Sequence, residues 1–307
     1  MAEPPPQGVY HQVVTRSTVT EKDLYIPHLL TASYFVFLWQ FWWDPFENPV
    51  FAREWRRNKR RLGFLAVYWK SSLAVGVLLS LLVGVLVNFA VAAAGTGPLA
   101  QALMTGLFFG PSFIASFIAF FTSINAVQGV ASRSALQEMA LTPLKPQEFA
   151  FGHLAGGILP LSLPFLAVVP GMALIGFDRA IRAMFIEVNG GLFFSNVGFA
   201  LLFYPNVLSA MASSAAIASG IAAEGENSSN AFTTSLTVWI GLGFLLALIH
   251  GYAILAWPYS FIVAPFVLMG ARVIIASGFL HHLAVRIAMQ KAEEVDAVIG
   301  KAGDGEA

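Results

Sequence analysis

The sequence predicts an all-α polytopic membrane protein with six core transmembrane helices, preceded by an amphipathic helix on the membrane surface. Three observations carry that prediction. Of 307 residues, 57% are hydrophobic and only 11% charged, and the mean hydropathy is +0.71, whereas a soluble domain carries about a quarter charged residues. Six apolar runs, at 64–94, 99–128, 149–175, 189–222, 231–257 and 258–280, each exceed the ~20 residues that cross a bilayer. Last, the basic residues are shared unevenly between the segments that join those runs.

Residues 1–23 are polar and proline-containing, a mobile N-terminal tail. They show no basic stretch followed by an apolar core and a cleavage site, so no signal peptide is expected to be removed and the first span is expected to act as the insertion signal. Residues 24–43 are apolar and crowded with aromatics, among them Tyr25, Tyr34, Trp39, Trp42 and Trp43. Trp and Tyr favour the headgroup zone, and the helix allowed after Pro27 is about sixteen residues long, short for a span. An interfacial helix, a re-entrant segment and an extra spanning helix all fit that length.

Next comes Asn48 to Arg61. Pro49 suits a first helical turn and Asn48 can cap it. Phe51, Trp55, Asn58 and Leu62 fall on one stripe, and Arg53, Arg56, Arg57 and Arg60 cover the opposite face. The pattern is that of a basic amphipathic helix lying on anionic lipid. Residues 62–280 form the transmembrane domain, with turns at Gly95–Pro98, Gly176–Val188, Glu224–Asn230 and Trp257–Tyr259. The C-terminal tail, 281–307, is amphipathic, then acidic, then Gly-rich.

Orientation follows the basic residues. The N-terminal 61 residues hold eight Lys/Arg, the 129–148 connection two and the C-terminal tail three, against Arg179 and Arg182 alone on the other side. Thirteen against two assigns the first group to the cytoplasm, and an even number of core spans returns the C-terminus there. The expected location is the cell (inner, cytoplasmic) membrane.

Composition and spacing exclude several chemistries. The chain has no cysteine, which removes disulfides, thiolate metal sites and cysteine nucleophiles. Its 17 basic and 17 acidic residues balance, so charge points to no nucleic-acid partner. No Gly-x-x-x-x-Gly-Lys-Ser/Thr loop is present, so the chain binds no nucleotide of its own by that route. His281 and His282 are adjacent and diverge on a helix, and neither has a ligand three or four residues away; no metal site is expected. Ser219-Gly220 and Ser277-Gly278, with His250, offer a weak pattern for intramembrane proteolysis. Neither serine has Gly two positions earlier, as rhomboid proteases require, and no catalytic residue is assigned. The small residues around Ala212–Ser219 suit close helix packing instead.

Two ionisable residues lie inside apolar runs. Lys70 is near a run's end and is expected to snorkel to the headgroups. Arg272 lies deeper. It can snorkel, pair with Asn125 or Asn196, or face a translocation path, since intramembrane charges are functional candidates by default. Pro160, Pro164 and Pro170 are expected to kink the third span and free carbonyls.

The most informative stretch is 135–153, a polar segment with two prolines between the second and third spans. A turn alone would not need it. Glu138, Leu141, Thr142, Pro143, Leu144, Pro146, Glu148 and Gly152 match a pattern close to E-L-L-L-T-P-L-S-P-R-E-I-x-x-G-K, with Lys145, Gln147 and His153 in place of its Ser, Arg and Lys. That segment resembles the cytoplasmic coupling region of type-2 ABC exporter permeases. Asn48-Pro49-Val50…Arg53-Glu54 resembles the elbow helix of the same family, and two spans fit between the segments. The resemblance covers roughly residues 48–280. It implies a permease subunit that pairs with a second permease subunit, as a homodimer or heterodimer, and docks separate ABC ATPase subunits. ATP and Mg would sit on those subunits; this chain would bind no cofactor and be no enzyme by itself. Glu138, Leu141, Thr142, Pro143, Leu144, Pro146 and Glu148 would couple ATPase movement to the spans, and the scarcity of intramembrane charge favours an apolar or amphipathic cargo. The alternative is a non-transporting scaffold subunit that keeps the permease fold.

Overall fold

The computed structural model describes residues 45–61, 69–94, 98–130, 144–174, 196–223, 228–256 and 260–303. Within them every regular element is helical. A 3-10 turn, Pro45–Glu47, leads into α1 (Pro49–Arg61), α2 (Trp69–Ala94), α3 (Pro98–Val130) and α4 (Pro146–Leu166). The short α5 (Val169–Leu174), then α6 (Asn196–Ala222), α7 (Ser228–Ala256) and α8 (Ser260–Gly303), complete the order. Four stretches among the described residues are long and apolar enough to cross a membrane: Pro146–Leu174, Leu201–Ala222, Ser229–Ile249 and Pro265–Met289. This is a helical membrane protein. Ala74–Ala90 in α2 and Gly110–Asn125 in α3 are shorter apolar stretches. The tail 1–23, the aromatic segment 24–43, Glu138 to Pro143, and Arg179 with Arg182 lie outside the described residues, as do the side chains of Lys70, Asn196 and His250.

The bundle is built around α6. In its span window 67% of residues are buried, against 6% for α7. The sequence Ala210–Gly220 explains this, because small side chains let neighbouring backbones approach. Gly220 takes α8 so closely that a Cβ there would stand 3.0 Å from the Phe279 carbonyl oxygen. Phe203, Val207, Met211 and Ala215 of α6 interlock with Ala115 and Ala119 of α3, Leu154 and Ile158 of α4, and Ala276 and Leu280 of α8. α7 lies at the edge, anchored where Trp239 stacks on Phe120 and donates its indole N–H to Ser214 Oγ at 2.8 Å.

The third apolar run is expected as a single kinked span. It is instead interrupted by a turn at Ala167–Val168, between α4 and α5. Pro164 and Pro170 cannot donate to the carbonyls four residues earlier, which removes two helical bonds around the break. Beside the break, Ser80 of α2 donates its hydroxyl to Ala167 O at 2.8 Å. Gly76, Ser80 and Gly84 form the close-packed stripe of α2. A Cβ on Gly84 or Gly171 would overlap the backbone of the other helix, so no larger residue fits at this crossing.

α8 is 44 residues long and continues without a break from Ser260 past residue 280 to Gly303.

Candidate functional site

Two polar constellations stand out. The first joins α1 to the start of α4. Asn48 caps α1 as expected: its Oδ1 accepts from the backbone N–H groups of Val50 and Phe51 at 2.9 and 3.1 Å. Its Nδ2 then donates to the carbonyl of Glu148 at 2.7 Å, 100 residues away in the chain. Glu148 in turn caps α4, its Oε2 accepting from Lys145 N–H at 3.1 Å. Pro146 stands in the first turn of α4, where a missing N–H costs nothing.

Two glycines of α4 make the contact close. A Cβ on Gly152 would sit 2.7 Å from Asn48 Oδ1, and one on Gly156 would sit 2.8 Å from Phe51 O and 2.9 Å from Glu54 Cβ. Phe51 packs on Ala155 in this crevice, flanked by Trp55.

Glu54 lies at the middle of the interface and is fully buried, 0% exposed. Arg53 Nη2 donates to its Oε1 at 3.1 Å, and Arg57 Nη2 lies 2.5 Å from Oε2. His153 of α4 brings Nδ1 to 3.7 Å from Oε1, too far for a hydrogen bond, so its influence is electrostatic. Burial pushes the Glu54 carboxyl up, but His153, Arg57 and Arg53 together pull it further down, below the usual carboxylate range. The ring of His153 stacks on Phe149, 6.4 Å between centroids.

These positions revise the reading of α1 as a helix with one lipid-facing stripe. Phe51 and Asn58 are buried against protein, Trp55 is half-buried, and Leu62 lies outside the described residues. The four arginines do not act as one face. Arg53 and Arg57 pair with Glu54, and Arg53 is exposed like Arg56 and Arg60. Of the expected coupling residues, Leu144 and Glu148 are half-buried and Pro146 is buried at the head of α4. Glu138, Leu141, Thr142 and Pro143 fall outside the described residues.

The second constellation crosses the bundle. Arg272 Nη1 donates to Asn206 Oδ1 at 2.8 Å and reaches Asn206 O at 3.4 Å. Asn206, fully buried, donates Nδ2 to Ser112 Oγ at 2.7 Å. Three helices therefore share one polar chain. Two residues earlier on α6, Tyr204 shares a hydrogen bond of 2.8 Å with Ser162 of α4. The partner of Arg272 is thus neither of the asparagines expected. Asn125 is exposed, and Asn206, masked in the sequence by its apolar neighbours, holds that place.

Searches against protein-family models, curated proteins and solved structures find no match to this chain.

Proposed function

We propose that the chain is the membrane-spanning permease subunit of an ATP-driven ABC exporter, moving an apolar or amphipathic substrate. In this reading α1 is the elbow helix, residues 135–153 are the coupling region, and the helix before Thr142-Pro143 is the knob for a separate ABC ATPase. The chain crosses the cell membrane six times with both ends of the core in the cytoplasm, and pairs with a second permease subunit. ATP and Mg belong to the ATPase.

The observation that best supports this reading is the bond from Asn48 to the Glu148 carbonyl, within the glycine-lined contact of α1 and α4. The two segments that resemble the family are joined physically as well as matched by pattern. A displacement of residues 135–148 acts on the capped start of α4 and, through Asn48, on α1. Such a joint suits force transmission between two packings. A scaffold subunit has no need of it.

The test is an ATPase pull-down together with transport in reconstituted vesicles. Glu138→Lys is expected to weaken ATPase binding. Pro143→Gly with Pro146→Gly is expected to leave binding but uncouple hydrolysis from transport. If both variants bind and transport like the parent, or no ATPase co-purifies with the parent, the scaffold reading takes its place.

A further inference from the structure

On α8, Pro265, Leu268, Arg272, Ala276, Leu280 and Leu283 recur at three- and four-residue spacing, and all except Arg272 are buried. Arg272 thus occupies the bundle-facing stripe of a span, and that stripe is turned away from surrounding lipid. It remains half-buried. The residue lies seven positions into the span Pro265–Met289, about 10 Å along the helix axis, and its hydrogen bonds to the buried Asn206 hold the guanidinium inside the bundle.

Its protein partners orient it without neutralising it. Asn206 and Ser112 carry no charge, and Ser209 Oγ donates to the same Asn206 carbonyl at 2.9 Å. The hydrogen bonds to Asn206 use Nη1 alone. The Nε and Nη2 edge, the fork that pairs with carboxylate or phosphate, makes no hydrogen bond among the described residues. Nor does any described carboxylate form an ion pair with Arg272. α3, α6 and α7 contain no Asp or Glu, and α8 has none before Glu293. A full charge at this depth costs several kcal/mol unless a counter-ion is provided.

We propose that Arg272, held in place by Asn206 and Ser112, binds the anionic head, phosphate or carboxylate, of an amphiphile. The same guanidinium that Asn206 fixes on one edge presents its free edge to the acid. Met269 and Ile275, half-buried three residues to either side of Arg272 and so on its own face of α8, offer hydrocarbon to the ligand's chain. A free inorganic anion would have to enter this apolar region without a chain to offset its lost hydration. Cargo status for the amphiphile rests on the exporter reading; binding does not.

The test uses the purified full chain in phosphatidylcholine nanodiscs. Four probes are titrated by calorimetry: lysophosphatidic acid, palmitate, lysophosphatidylcholine and inorganic phosphate. The two acids should bind saturably, and the zwitterionic lipid and inorganic phosphate at least about tenfold more weakly, the loss expected for one charge-assisted pair. Arg272→Gln keeps a donor for Asn206 but no charge, and should lose at least about tenfold in acid binding, while Arg272→Lys should retain most of it. Equal affinity in Arg272→Gln overturns the proposal. So does lysophosphatidylcholine or inorganic phosphate matching the acids in the parent, a comparison that stands even if the Gln variant does not fold. Asp178→Asn with Glu187→Gln should leave binding unchanged; tighter binding there would mean that the chain supplies its own counter-ion, and would overturn it too. Acid binding without ATPase-driven transport would retire the exporter reading and leave the site.

Discussion

Gly156→Ala tests the joint between α1 and α4 at its tightest point. The new Cβ would stand 2.8 Å from Phe51 O and 2.9 Å from Glu54 Cβ, where ordinary contact begins at 3.4 Å. Neither neighbour yields easily, since Phe51 O is helix backbone and Glu54 is held by two arginines. Overpacking of this kind costs about 1–3 kcal/mol. An opposing gain of about 1 kcal/mol comes from replacing Gly by Ala within a helix. Gly157→Ala is the control that isolates the cost. It lies on the next residue of the same helix, and a Cβ there meets nothing within 4 Å. It should collect the helix gain alone, so the two variants should differ by the overpacking cost, about 1–3 kcal/mol. The assay is denaturant unfolding of each purified variant in one detergent, followed by tryptophan fluorescence, with Trp55 at the joint as the local reporter. If Gly156→Ala proves as stable as Gly157→Ala, α1 does not lie against α4 as described.

Glu54 has a folded pKa below its unfolded value of about 4.3. Its stabilising contribution is therefore complete above that pH and is lost as pH falls through the folded pKa. Unfolding midpoints should diverge between parent and Glu54→Gln at neutral pH and converge in acid; a constant gap would disprove the assignment. Arg56→Glu with Arg60→Glu changes only exposed charges of α1, each worth about 1 kcal/mol on anionic lipid. Flotation with anionic vesicles should fall while unfolding is unchanged, whereas Arg57→Glu should also destabilise the fold by leaving Glu54 beside a like charge. For topology, Gln137→Cys in this cysteine-free chain should resist an impermeant thiol reagent added to intact cells; labelling from outside would place 129–148 on the wrong side.

Hydropathy made the helical membrane class legible, because run length and low charge do not depend on tertiary context. Asn48 as a cap was legible for the same reason, being a local preference. Glu54 was not singled out, although its spacing from Phe51 and Asn58 places it on their stripe; a carboxylate next to four arginines looks solvated until a partner helix covers it. The role of Gly152 and Gly156 needs that partner too. Asn206 escaped notice because nothing local distinguishes a buried asparagine that orients an arginine from one that packs on a backbone. The break at Ala167–Val168 was half-visible: the prolines announce a distortion, but the close crossing of α2, where Gly84 and Gly171 meet and Ser80 bonds Ala167 O, is a tertiary contact that no local pattern shows.

The unbroken length of α8 has a mechanical consequence. A 44-residue helix extends for about 66 Å, roughly twice the ~30 Å hydrocarbon core of a bilayer, so a large part of it stands clear of the lipid as a rigid pole. Leu283, Ala284 and Ala288 are still buried in the bundle, so α8 is clamped as far as that turn and about 22 Å of helix extends beyond Ala288. A tilt of about 5° pivoting there would swing the far end of α8 through about 2 Å. Whatever touches that end reads the packing of this last buried turn against the bundle.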